Sequence, residues 1–176
     1  MFYFYPKIYY KINSFDYLRV TDISVYSRIK QLVTKYGHTS LRPYTVQDGE
    51  SPDLVSNRFY GNPKYDYIIL ILNDIRNVYD EWPRNKMDLL DYIEEKYGSL
   101  SYAQSNYANN YTGDGLKVSK DMWYEMVDAG KSYETYYDYE ERLNREKGQI
   151  KVMSYNYAVK FEVELQEYLN NVIEVS

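Results

Sequence analysis

Residues Tyr44 to Ile75, YTVQDGESPDLVSNRFYGNPKYDYIILILNDI, decide how the chain is read, because they hold a strand, a turn and two short helices in one run. Tyr44, Thr45 and Val46 are β-formers, and Asp48-Gly49 supplies the turn that ends a strand, since glycine accepts positive φ without steric cost. A helix start follows. Ser51 is placed to accept from the first free N–H groups, Pro52 fits a position where no N–H is needed, and Asp53 suits the positive end of the dipole. Leu54, Val55 and Phe59 lie on one helical face, and Gly61 ends the helix as a left-handed residue. Asn62 and Pro63 open a second helix, whose Tyr65, Ile68, Ile69 and Leu72 have the spacing of a buried stripe. Asn73 then has the chemistry to satisfy the last carbonyls and to tolerate the left-handed conformation.

This order of parts resembles a LysM module, whose pattern runs Y-x-V-x-x-G-[DE]-[ST], a helix, and a second helix ending in Leu-x-x-x-Asn or a close variant. Tyr44, Val46, Gly49, Glu50, Ser51, Leu54, Val55 and Asn73 carry the match. Two departures stand out. The helix junction from Phe59 to Pro63 is longer and more aromatic, and the closing-strand motif Pro-Gly-x-x-Leu-x-Ile-Pro is missing, with Asn77 to Pro83 in its place. The run RFYGNPKYDYIILILNDIRNVYDEWP is more similar to the baseplate wedge proteins of contractile-tailed bacteriophages, small structural subunits with a divergent LysM-like core.

Composition bounds the function. The chain has 176 residues, 44% of them apolar, with a net charge of −5, no cysteine and one histidine, His38. No stretch approaches the length of a membrane span, and residues 1 to 12 lack the pattern of a signal peptide, so neither membrane insertion nor Sec export is expected. The acidic balance argues against nucleic-acid binding. Without thiols, disulfides and thiolate metal sites are excluded, and one histidine leaves little for zinc or nonhaem iron. Tyrosine is the unusual residue, 25 of them against five Phe and two Trp. Tyr buries a flat body while keeping a hydroxyl for a polar neighbour, and this many exceed what one core holds, so some are expected to face partners.

The expected fold class is α+β, a small LysM-like β-α-α core with an extended N-terminal arm and helix, and a C-terminal hairpin-like segment followed by an amphipathic helix. Four segments are expected: 1–43, the arm and a helix from Thr21 to Gly37; 44–98, the core and a further helix, Asn85 to Tyr97, with Met87, Leu90, Ile93 and Tyr97 inward; 99–131, a polar loop or linker with a short helix at 118–127; and 132–176. In the last, Tyr133–Glu140 and Gln149–Met153 read as two strands of a hairpin-like unit joined by a charged connection, with a continuous helix over Tyr133–Lys147 as the rival. A helix over Asn156–Val172 has Ala158, Phe161, Leu165, Tyr168, Leu169 and Val172 on its apolar face. Asn144, Glu146, Lys147, Ile150 and Val152 match a similar ending in the wedge family.

No catalytic constellation rises above background: there is no phosphate-cradling loop, no G-x-S-x-G and no H-E-x-x-H. The acid pairs Asp80-Glu81, Glu94-Glu95 and Glu140-Glu141 are adjacent residues that point apart, unlike the facing carboxyls of a glycosidase. No enzymatic activity and no cofactor are expected. The wedge resemblance implies a structural subunit of the virion tail baseplate, assembled in the host cytoplasm. It would join wedges into a ring in six copies, contacting the large wedge scaffold protein and the small sheath-initiating subunit, with no nucleic acid and no membrane. The alternatives are a peptidoglycan-binding LysM module, using the loops at Asp48–Glu50 and Asn73–Tyr79, and a tail-associated cell-wall hydrolase. Asp48, Gly49, Glu50, Tyr60, Tyr65, Asn73, Tyr79, Trp82, Phe2 and Phe4 are the candidate protein contacts.

Overall fold

The computed structural model describes residues 7–11, 17–21, 30–31, 41–126 and 131–174, with the backbone alone for 7–11, 17–21 and 169–174. It is a mixed α+β chain that divides into two compact units. The first comprises Met1–Thr45, Glu50–Glu81 and Ile150–Ser176, and the second Val46–Gly49 and Trp82–Gln149.

In the first unit, strands β1 (Lys7–Lys11) and β2 (Tyr17–Thr21) pair antiparallel, Lys7 opposite Thr21 and Lys11 opposite Tyr17. The expected arm is therefore, over Lys7–Lys11, one strand of a local hairpin. Of the helix expected at Thr21–Gly37, Thr21 is instead the last residue of β2, Lys30 and Gln31 are helical, and the rest lies outside the described residues, as does His38. Strand β3 (Leu41–Thr45) leads into helix α1 (Pro52–Tyr60), which Gly61 ends in the left-handed conformation at φ 65°. Ser51 stands at the N-cap but its side chain makes no capping bond. Val55, Ser56 and Tyr60 face inward while Leu54 is half exposed, so the inward face runs i, i+1, i+5 and omits Leu54.

Asn62 caps a 3-10 turn at Pro63–Tyr65, accepting from the Lys64 N–H, before helix α2 (Asp66–Leu72) begins. Tyr67 through Ile71 are all buried, so α2 is a core helix covered on more than one face rather than an amphipathic stripe. The left-handed residue after it is Asp74 (φ 59°), not Asn73. A short helix α3 (Val78–Glu81) follows.

The strand that pairs with β3 does not follow α2 in sequence. It is β7, Gln149–Met153, and the whole of the second unit's Trp82–Gln149 stretch intervenes. This corrects the expectation that the closing strand is missing and replaced by Asn77–Pro83. Ile150, Val152 and Met153 of β7 are buried, as are Ala158, Phe161 and Leu165 of the last helix, α8 (Tyr155–Glu174). The Asn73 side chain ties the two stretches together: Oδ1 accepts from the Lys151 N–H at 2.8 Å, and Nδ2 donates to the Lys151 carbonyl at 2.8 Å and to the Ile69 carbonyl at 2.8 Å.

The second unit contains α4 (Lys86–Tyr97), α5 (Leu100–Ser105), β4 (Tyr107–Tyr111), β5 (Lys117–Val118), α6 (Lys120–Glu125), β6 (Ser132–Thr135) and α7 (Tyr136–Lys147). Asn85, Ser99, Ser119 and Thr135 each cap the helix that follows with a side-chain hydrogen bond, and Thr135 completes a capping box with Asp138. The core is small, Leu89, Ile93 and Ala103 with Tyr92, Tyr97, Leu100, Tyr136 and Tyr137 packed around them. The inward face of α4 carries Leu89 and Ile93, while Met87 is 67% exposed.

Two further expectations are corrected here. The polar stretch 99–116 is not a loop: Asn109 and Asn110 are buried in the central strand of a sheet ordered β5-β4-β6. Nor is 133–153 a hairpin. Its strands belong to different sheets, and helix α7 lies between them, because the capping box starts a helix that β-prone tyrosines then continue.

Replacing Asn73 by Ala is expected to cost about 2–3 kcal/mol, since it leaves the Lys151 N–H and carbonyl without that partner. Asn73→Asp, which keeps an acceptor but loses both donor bonds, should fall between Ala and the parent in chemical denaturation.

Candidate functional site

The candidate contacts of the first unit separate into inward and outward groups. Glu50 is only 9% exposed. It accepts from the Tyr44 hydroxyl at 2.6 Å and forms an ion pair with Arg58 at 2.5 Å, which offsets the cost of burying its charge. Tyr60 is buried, its hydroxyl accepting from the Met153 N–H at 3.2 Å, and burial pushes the phenol up to about 12. The Tyr65 hydroxyl donates to Glu162 at 2.8 Å, and that hydrogen bond, then burial, raises it to about 12. With Asn73 holding β7, these residues are engaged within their own unit.

Tyr79 is different, at 89% exposure. It stands on a turn closed from inside: the Glu81 carboxylate accepts the N–H groups of Asn77 at 3.0 Å and Arg76 at 2.5 Å, and Asn77 Oδ1 accepts the Tyr79 N–H at 3.1 Å. Those two backbone donors, Asn77 first, hold the Glu81 carboxyl below the usual range. The turn is fixed while its aromatic ring is presented to solvent, the preorganisation that lowers the entropic cost of an interface anchor.

In the second unit Gly49 has φ 76°, Asp48 is exposed and accepts the Lys86 N–H at 2.8 Å, and Trp82 is buried at 5% exposure. Phe2 and Phe4 lie outside the described residues.

The sheet of this unit has two unlike faces, and a bulge sets them. Tyr107 pairs with Thr135 and Asn109 with Glu134, leaving Ala108 as the extra residue. By strict alternation Tyr107 would share a face with Asn109 and Tyr111; the bulge moves it to the face of Tyr133 and Asn110. There the Tyr107 and Tyr133 rings meet at 4.2 Å, and Trp123 of α6 approaches them at 5.9 and 6.2 Å and Tyr124 at 5.5 Å. Tyr124 and Tyr133 are more than half exposed, as is the neighbouring Met122. On the other face, Glu134 takes Arg142 at 2.7 Å, Asn109 at 2.5 Å and the Tyr111 hydroxyl at 3.3 Å.

Buried Glu140 gathers a second network, Lys96 at 2.7 Å and the Tyr97 hydroxyl at 2.7 Å. The Glu140 bond raises the Lys96 ammonium, and burial with the same carboxylate lifts the Tyr97 phenol to about 12.

No protein-family profile matches the chain. Over 102 residues it is 26% identical to baseplate wedge protein gp53 of Enterobacteria phage T4, a match that covers 54% of this chain and 52% of that protein. The chain thus matches about half the length of that curated relative.

The aromatic face of the second unit was not singled out from sequence, because its members come from β4, α6 and β6 and meet only through the bulge at Ala108. The tyrosine content alone pointed toward it.

Two pH responses follow. The Arg142 hydrogen bond, with those from Asn109 and Tyr111, holds the Glu134 carboxyl below the usual range. Its stabilising contribution is complete above about pH 4.3, the ordinary glutamate value, and is lost as pH falls through the lowered folded value. Glu134→Gln should flatten the acid limb of a stability-versus-pH curve. At the alkaline end, Tyr60, Tyr65 and Tyr97 stay protonated up to about 12, so their contribution is whole below about pH 10 and lost as pH rises toward that value. Tyrosinate absorbance should reveal a late-titrating set that Tyr60→Phe makes smaller.

Proposed function

We propose that this chain is a structural subunit of the baseplate of a contractile phage tail, acting through protein–protein contacts to join neighbouring wedges into a closed ring. The observation that carries the reading is an aromatic surface, exposed Tyr124 and Tyr133 over half-buried Tyr107 and Trp123 on the second unit, with the fixed, solvent-facing Tyr79 on the first. Exposed aromatic clusters with polar surroundings are the composition of interface cores. The similarity to a protein named as a baseplate wedge component supports placing those contacts in a baseplate. The reading extends to six copies per ring and to contacts with the large wedge scaffold and the small sheath-initiating subunit.

The LysM-like order also fits this use. Strand, two helices and closing strand are present as β3, α1, α2 and β7, but the loop after α2, a ligand loop in wall-binding modules, is the place where the second unit is inserted. The Asn73 amide is taken up by Lys151 and Ile69.

Co-expression with baseplate subunits followed by sedimentation tests the proposal. The chain is expected to enter a large complex, and Tyr79→Ala or Tyr124→Ser, both at exposed positions and with folding checked by circular dichroism, are expected to reduce its incorporation several-fold, as loss of an interface anchor does. A chain that stays monomeric with all baseplate subunits present, or is retained by peptidoglycan instead, would contradict it.

A further inference from the structure

The second unit carries an open groove of about 360 Å³, at the small end of ligand-pocket sizes and roomy enough for a few side chains rather than a folded element. Its apolar lining is Leu89, Leu90 and Tyr137. Its charged lining is Arg84, Lys86 and Arg145 against Asp48 and Glu141.

The local charges are unequal in what they already do. Glu141 is paired with Arg145, one turn away on α7, at 3.6 Å. Asp48 accepts the backbone N–H of Lys86 at 2.8 Å, which holds the residue in place without using its ammonium group. Among the described residues Lys86 enters no ion pair and is exposed. Arg84 is held still: the Asn144 side chain accepts its N–H at 2.8 Å and donates to its carbonyl at 2.9 Å, and its guanidinium lies 4.3 Å from the centre of the Tyr92 ring. A chain of net charge −5 therefore places cations, one of them unpaired, along the rim of a leucine- and tyrosine-lined groove.

We propose that this groove receives an acidic segment of a partner protein, with an Asp or Glu carboxylate reaching Lys86 beside Arg84 and an adjoining apolar side chain lying on Leu89, Leu90 and Tyr137. Charge complementarity selects the carboxylate, and the apolar lining selects a polypeptide over a phosphate backbone, which would use a basic stripe instead. The inference rests on the structural-subunit reading and names the chemistry of one of its contacts.

The test is zero-length coupling in assembled baseplates. A carbodiimide activates a carboxyl group and joins it to a lysine amine as an amide, with the carbodiimide leaving as a urea, so only a lysine in direct contact with a carboxylate is linked. Proteolysis and mass spectrometry should find Lys86 joined to an Asp or Glu of another chain. Lys86→Arg should remove that link, and Lys86→Glu should weaken incorporation by about tenfold, as like charge placed across an interface does.

Lys86 left uncoupled, or joined only to acids of its own chain, while other lysines form links between chains would overturn the proposal. Protection of Lys86 that nuclease removes would overturn it in favour of nucleic acid. Absence of the chain from baseplates altogether is a different failure, that of the structural-subunit reading, and takes this contact with it.

Discussion

The carboxamide of Asn73 does for Lys151 what a neighbouring strand would do. It accepts the N–H and donates to the carbonyl of one residue of β7, a paired exchange like that between facing residues of an antiparallel ladder. A third bond, to the Ile69 carbonyl, anchors the same side chain to the last turn of α2. The first unit depends on this clamp because its closing strand arrives only after a long excursion of the chain, and loop closure carries an entropic cost that contacts at the return point must offset. Buried Ile150, Val152 and Met153 supply the hydrophobic part, and Asn73 helps fix the register. In the second unit Asn144 binds the N–H and carbonyl of Arg84 in the same way.

Tyrosine gives both units their character. Around a small apolar cluster of Leu89, Ile93 and Ala103, the second unit packs phenol rings whose hydroxyls find partners, such as Tyr97 on Glu140 and Tyr111 on Glu134. Such a core tolerates a wet margin, so the same residue type passes without a break from packing to surface, as Tyr107 and Tyr133 do across one sheet face. A subunit that must be stable alone and still offer aromatic area to neighbours gains from that continuity.

What was legible in the sequence was local. The turn at Gly49, the end at Gly61, the cap at Asn62 and the buried centre of α2 follow from residue chemistry within a few positions, and each is found. What escaped was set by distance. The LysM pattern places a closing strand just after Asn73, whereas β7 lies beyond the second unit's Trp82–Gln149 stretch, and no local signal marks Gln149–Met153 as the partner of β3. At 136–140 β-propensity misled and the rival helix is found, because a Thr135–Asp138 capping box and tertiary packing outweigh the preference of three tyrosines. The stretch 99–116 looked like a loop because its buried residues are asparagines and an alanine. Of the candidate contacts, Tyr79 faces solvent, while Tyr60 and Trp82 are buried.

The most direct test of the clamp is native-state hydrogen exchange at the Lys151 amide, an exposed residue whose N–H is held by the Asn73 side chain. If Asn73 closes the first unit, this amide exchanges as slowly as that of Ile69 and through the same global opening. Exchange at the rate of an open loop, while the Ile69 amide remains protected, would contradict the account.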